Sequence, residues 1–218
     1  MAKGISLMFG IRAGDNFDHP YTAVSVTDFW RKWHISLSRW FRDYIYIPFG
    51  GNRVTVGRHV RNILIVWALT GLWHGAAWTY VAWGVYYGLV LLLEKYFLIK
   101  ILEKLPKPLR VLYTMFIVMI GWVFFSSRSF AEAAATCGAL FGGGMHSFAD
   151  SRALYYLRTN LLLLIFCVLG STVWPFRFYT WTQKKYPVIS AVGTVLLTLL
   201  AVAFMVYSTY QPFLYAAF

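Results

Sequence analysis

Charged residues punctuate this chain rather than cover it. Between Arg61 and Glu94 no side chain carries a fixed charge. A helix crossing a bilayer needs about 20 apolar residues, so this run is too long for one straight pass and too short for two full ones. Gly71 and Gly75 bracket His74 within it, and Gly84 and Gly88 follow. Glycine weakens a helix and permits a break. The pattern predicts a broken or re-entrant pair over 62–93, with the second helix running from about Trp78 to Leu93. Irregular backbone at membrane depth is tolerated only where protein or a water-filled cavity surrounds it. His74 is therefore expected to line a cavity.

Three simpler apolar runs follow, at 111–126, 159–176 and 188–207, and each predicts a transmembrane helix. The first ends in Trp122, Phe124 and Phe125, and the second in Trp174 and Pro175. The segments between them alternate in charge. Lys95, Lys100, Lys104, Lys107 and Arg110 precede the first span, and 177–185 holds three basic residues and no acid. The stretch 128–158 is nearly balanced by Glu132 and Asp150. Cytoplasmic loops carry the excess of Lys and Arg, which places the two basic stretches in the cytoplasm. Within the balanced stretch, Phe130, Ala134, Cys137 and Phe141 recur at helical spacing and predict a short helix, stopped by Gly142, Gly143 and Gly144.

Upstream of these runs the pattern changes. Trp30, Trp33, Leu37, Trp40 and Tyr44 recur at intervals of three and four, while Arg31, Arg39 and Arg42 fall on another face. That pattern predicts one amphipathic helix over 27–47 lying in the membrane interface, rings at headgroup depth and guanidinium groups toward phosphate. Thr27 is its expected N-cap. Pro48 ends it, and Gly50-Gly51-Asn52 supplies a turn. His34 lies four residues after Trp30, on the apolar side. Alone it reads as a hydrogen-bonded packing histidine.

Composition agrees with a membrane protein. Of 218 residues, 59% are hydrophobic, 20% aromatic and only 13% charged, against about 25% charged in soluble domains. The net charge of +12 raises nucleic acid as a partner. The basic residues sit between apolar runs, though, which fits contact with anionic lipid headgroups instead. Cys137 and Cys167 form no motif and read as packing residues. No internal repeat, linker or domain boundary is apparent over 1–218. The first residues show no signal-peptide pattern, so insertion is expected to rely on the internal segments.

His74 is the chemical outlier. An ionisable group inside a membrane run is costly and is a functional candidate by default. A neutral imidazole lowers that cost and remains a proton acceptor. The bland alternative is an imidazole bonded to a neighbouring carbonyl, stabilising helix packing. The apolar runs hold no Asp or Glu, which argues against a carboxylate relay, a transporter or a channel. His19, His34, His59, His74 and His146 lack metal-ligand spacing. No phosphate loop or nucleophile elbow is present. A base without a protein nucleophile suits direct transfer, in which it deprotonates a hydroxyl for attack on an activated acyl group.

Two long motifs then become informative: SVTDFWRKWHISLSRWFRDYIYIPFGGNR at 25–53 and LTGLWHGAAWTYVAWGVYYG at 69–88. They closely resemble the membrane-bound O-acyltransferase family, nearest its bacterial branch of alginate O-acetylation and teichoic-acid D-alanyl transfer proteins. WVFFSSRSFAEAAATCGALFG at 122–142 extends the resemblance. The resemblance implies an all-α polytopic transmembrane bundle. It implies transfer of an acyl group from a cytoplasmic thioester, through a tunnel, to an extracytoplasmic hydroxyl. It also implies that His74 of Trp-His-Gly is the catalytic base, that His34 lies near the tunnel, and that Arg42 and Asp43 form a structural ion pair.

The expected protein is thus an O-acyltransferase of the bacterial cytoplasmic membrane, multi-pass, without a tightly bound cofactor. Acetyl-coenzyme A or an acyl carrier would be the donor substrate. The acceptor would be an envelope polysaccharide or an extracytoplasmic acyl-relay protein. Members of this branch are about twice this length, so the chain resembles their C-terminal half, and its tail YQPFLYAAF lacks an arginine expected there. A missing N-terminal half is therefore an expected partner, and a non-catalytic remnant or envelope-assembly scaffold is the alternative reading.

Overall fold

The computed structural model describes residues 2–12, 14–143 and 150–207. Gly144, His146 and the tail motif at 210–218 lie outside them. The regular elements among the described residues are helices, without a strand: α1 (Ala2–Met8), α2 (Val26–Lys32), α3 (Ile35–Phe41), α4 (Val56–His74), α5 (Trp78–Leu93), α6 (Ile99–Leu102), α7 (Lys107–Ser126), α8 (Phe130–Leu140), α9 (Ser151–Gly170), α10 (Trp174–Lys185) and α11 (Pro187–Tyr207), with a short 3-10 turn at Pro20–Thr22. Single π-helical turns, Arg42–Tyr46 and Glu94–Leu98, continue α3 and α5. Helices α7, α9 and α11, of 20, 20 and 21 residues, are long and apolar enough to cross a membrane. Their outward side chains, such as Leu112, Leu162 and Leu197, are exposed. So much exposed apolar surface is incompatible with water and suits lipid. The fold is that of an all-α polytopic membrane protein. The chain forms two compact units, Met1–Ile165 and Phe166–Phe218, whose boundary falls inside α9.

In the first unit, α4 and α5 form a tight antiparallel hairpin. Helix α4 runs unbroken through Gly71 to His74, and the chain turns at Gly75 before α5 begins at Trp78. Gly71 instead serves close packing. A Cβ on it would stand 2.2 Å from the Tyr80 carbonyl oxygen, and one on Gly84 would stand 2.1 Å from that of Trp67. Neither position admits a methyl group, so the two backbones touch where the glycines cross. Helix α7 joins through Tyr86, whose hydroxyl donates to the Ile117 carbonyl at 2.8 Å. A core of Val26, Trp83, Tyr87, Val90 and Phe125 fills the junction of α2, α5 and α7.

The expected single helix over 27–47 is two helices. Its N-cap is Ser25, not Thr27: Ser25 is extended and its hydroxyl accepts from the Asp28 N–H. After Lys32 the chain leaves the helix. Trp33 is extended and His34 is left-handed, at φ 51°. The segment at Asn16–Asp18 compensates for the break. Asp18 donates its N–H to the Lys32 carbonyl at 2.9 Å, and the Asn16 carbonyl accepts from Ile35 at 3.0 Å. The Asn16 side chain accepts from both the N–H and the hydroxyl of Ser36. A contact from 20 residues upstream breaks the period, and local spacing cannot reveal it. The rings then part company: Trp30 and Trp33 pack inward, whereas Trp40 and Tyr44 are exposed.

The expected span over 159–176 is also displaced. Helix α9 starts at Ser151 and ends at Gly170, so Arg152 and Arg158 lie in its first turns. Pro175 sits in the first turn of α10, where its missing N–H costs nothing. The basic stretch 177–185 is accordingly helix rather than loop. In the second unit, α10 packs against α11, and Trp181 of α10 meets Tyr186, the residue that joins the two helices, with ring centroids 5.9 Å apart. The short helix expected after Phe130 is present as α8, with Ser129 as its N-cap.

Candidate active site

His74 is the last residue of α4 and is only 8% exposed. Three rings meet its imidazole nearly edge-on: Trp73 at 4.8 Å, Trp83 at 5.0 Å and Phe125 at 5.1 Å between centroids. Trp83 comes from α5 and Phe125 from α7, so three helices define the orientation of one side chain. His34 reaches the same place by another route. Its left-handed backbone between α2 and α3 turns the imidazole toward Trp73, centroids 5.9 Å apart. The two histidines, 40 positions apart in sequence, are bridged by Trp73, whose ring meets both imidazoles. Burial holds the His34 imidazole below the usual histidine range.

Both line one cavity of about 650 Å³. Toward the histidines its walls are largely aromatic, formed by Trp30, Trp33 and Trp67 with Thr70 beside them. Trp30 Nε1 and His34 Nδ1 are buried there without a hydrogen-bond partner among the described residues. The other pole of the cavity is polar. The buried His59, on the first turn of α4, shares one network with Tyr46, Tyr96 and Lys95. Its Nε2 lies 3.0 Å from the Tyr46 hydroxyl and 2.9 Å from Lys95 Nζ, and its Nδ1 lies 2.9 Å from the Tyr96 hydroxyl. Asn52 Oδ1 accepts from Tyr46 at 2.6 Å and from Lys95 at 2.8 Å. Burial, and then the Lys95 charge, push His59 below its ordinary value. His59 thereby joins the two π-helical turns across the cavity. Such turns are frequent at functional sites.

The sequence points to His34 and His74, and the structure brings them together. The Arg42 and Asp43 pair is also present, Nε to Oδ1 2.8 Å, on the exposed rim of the cavity. Two features escape sequence reasoning. In the sequence His59 is only one of five histidines without metal-ligand spacing. Glu94 reads as the end of an uncharged run, yet its side chain is fully buried and faces the cavity. Its position at the end of that run is the one available signal.

Comparison with known proteins identifies the family. The family model for MBOAT, the membrane-bound O-acyltransferase family, matches residues 1–130. A probable alginate O-acetylase of Azotobacter vinelandii is 42% identical over 172 residues, 78% of this chain and 34% of its own length. A peptidoglycan O-acetyltransferase of Helicobacter pylori is 41% identical over 136 residues, 61% of this chain and 26% of its own. A teichoic acid D-alanyltransferase of Bacillus subtilis is 31% identical over 150 residues, 59% of this chain and 36% of its own. The chain thus spans about a third of the length of these relatives. With a model match over more than half its residues, the chain belongs to the membrane-bound O-acyltransferase family.

Proposed function

We propose that this chain carries the catalytic half of a membrane O-acyltransferase acting on a hydroxyl of a cell-envelope polysaccharide. The observation that supports it most is the meeting of His74 and His34 in one cavity. In this reading the donor is an acyl thioester, acetyl-coenzyme A or an acylated carrier, bound as substrate. The acyl group is acetyl, following the acetylases among the relatives. Polysaccharide, or an extracytoplasmic protein that relays the acyl group, is the acceptor.

His74 acts as general base. Its unprotonated ring nitrogen takes the acceptor hydroxyl proton as the oxygen attacks the thioester carbonyl. A C–O bond forms and the C–S bond breaks. The thiolate then leaves with the proton that His74 carries, so ester and thiol are the products. His34 supports the site from the opposite wall. The basic run from Lys95 to Arg110 faces the cytoplasm of a bacterial inner membrane. The polar pole at His59 and Lys95 is then the donor entrance, on the order of 22 Å along α4 from His74 at 1.5 Å per residue.

The test is acyl transfer by membranes containing the chain. The unaltered chain acylates the polysaccharide, and His74→Ala abolishes that acylation while the protein still inserts and accumulates. Full transfer by His74→Ala, or none by the unaltered chain, overturns the reading.

A further inference from the structure

Glu94 is a fully buried carboxylate to which this mechanism gives no task. Burying a carboxylate is expensive unless it is well hydrogen-bonded, and this one is. Its Oε1 accepts from the Val26 N–H at 2.7 Å, and its Oε2 accepts from the Thr27 N–H at 2.8 Å and the Thr27 hydroxyl at 2.7 Å. Those N–H groups open α2, and the third, of Asp28, goes to Ser25 Oγ at 3.0 Å. The start of α2 is therefore capped mainly by a residue 67 or 68 positions later in the chain. A negative charge is also well placed against the positive end of the helix.

Helix α2 has seven residues. A helix that short has little stability of its own, so its position follows from whatever holds its ends. Its C-terminal end runs directly into Trp33 and His34. Its N-terminal end is held by Glu94, about 10 Å from that junction at the helical rise. Glu94 itself continues α5, whose Trp83 packs against His74. One element, α5 with its π-helical turn, thus touches His74 at one point and holds the carrier of His34 at another.

We propose that Glu94 is a positioning residue that sets the placement of His34 relative to His74. The catalytic consequence rests on the function proposed above, whereas the geometric one does not. Gln is the discriminating substitution. It keeps the volume of Glu94 but turns an amide NH2 toward one of the two backbone N–H donors, so one end of the cap becomes repulsive. Asp keeps the charge and is expected to restore part of the effect.

Placement is read without activity by cross-linking His34→Cys to His74→Cys with a short bifunctional maleimide, in a chain also carrying Cys137→Ser and Cys167→Ser. The cross-link forms readily with Glu94 present, falls strongly with Glu94→Gln and recovers in part with Glu94→Asp. In the acylation assay Glu94→Gln lowers kcat about 100-fold, the scale of a small misplacement, with donor KM unchanged. Adding Glu94→Gln to His34→Ala brings no further loss, because both act through one side chain. An unchanged cross-link overturns the proposal, as does a further multiplicative loss in the double variant. If His74→Ala leaves acylation intact while the cross-link depends on Glu94, the catalytic reading falls and the positioning stands. The converse pattern removes the positioning alone.

Discussion

Trp83 presents its indole edge-on to the His74 imidazole, with centroids 5.0 Å apart and planes at 83°. Trp83 is itself 4% exposed and packs on Trp30, Trp67, Tyr87 and Phe125. The candidate base is therefore held by a ring that is part of the core, and packing contributes to its orientation. Trp83→Ala should cost about 3–5 kcal/mol by the usual penalty for truncating a buried Trp, and should lower accumulation. Trp83→Phe keeps a ring against His74 and should accumulate normally with reduced acyl transfer. Equal transfer by Trp83→Phe and the unaltered chain would show that the orientation does not matter.

The glycines give opposite expectations at two sites. Gly71→Ala places a methyl 2.2 Å from the Tyr80 carbonyl oxygen, so the hairpin must part, at about 1–3 kcal/mol for overpacking. Gly138→Ala in α8 meets nothing within 4 Å and should stabilise by about 0.5–1 kcal/mol through helix propensity. Thermal unfolding in detergent checks both, and a destabilising Gly138→Ala would count against the exposed placement of α8.

Asn16 caps α3 across the break that places His34. Asn16→Ala should cost about 1 kcal/mol, as loss of a helix cap does. Its effect on acyl transfer should exceed that of Ser36→Ala, which removes only the side-chain half of the interaction. Comparing the two variants at equal expression measures how strongly the break controls the site.

Stability should depend on pH through His59. Burial and Lys95 hold its folded pKa below the ordinary value of about 6.5. The unfolded chain then binds the proton that the folded chain resists. Stability is full above that value and declines as pH falls below it. His34 is shifted in the same direction, so His59→Gln should flatten the decline without abolishing it. Melting curves in detergent between pH 7.5 and 5 measure the slope, and an unaltered slope in the variant would remove His59 from the account.

Much of the fold is legible in the sequence because lipid makes strong demands on composition. The helices at Lys107–Ser126 and Pro187–Tyr207 lie within a few residues of their apolar runs, and His74 stands out as an ionisable side chain among apolar neighbours. Reading fails where a distant residue overrides a local pattern. Asn16 interrupts the apolar period at Trp33, and Ser25 together with Glu94 caps α2 in place of the expected Thr27. Gly71 is ambiguous for a related reason, since a small residue serves a break or a close crossing equally well. Only the position of Tyr80 decides between them. His34 shows both sides of this. Its motif marks it by resemblance, while its route to the cavity depends on contacts that no periodicity carries.

The two histidines have different roles in the proposed transfer, and single-turnover acyl transfer in membranes separates them. His74→Gln, which keeps a polar side chain but no base, should slow transfer about 10²–10⁴-fold, the range of a lost general base. His34→Gln should slow it less. A larger loss in His34→Gln than in His74→Gln would show that His74 is not the base.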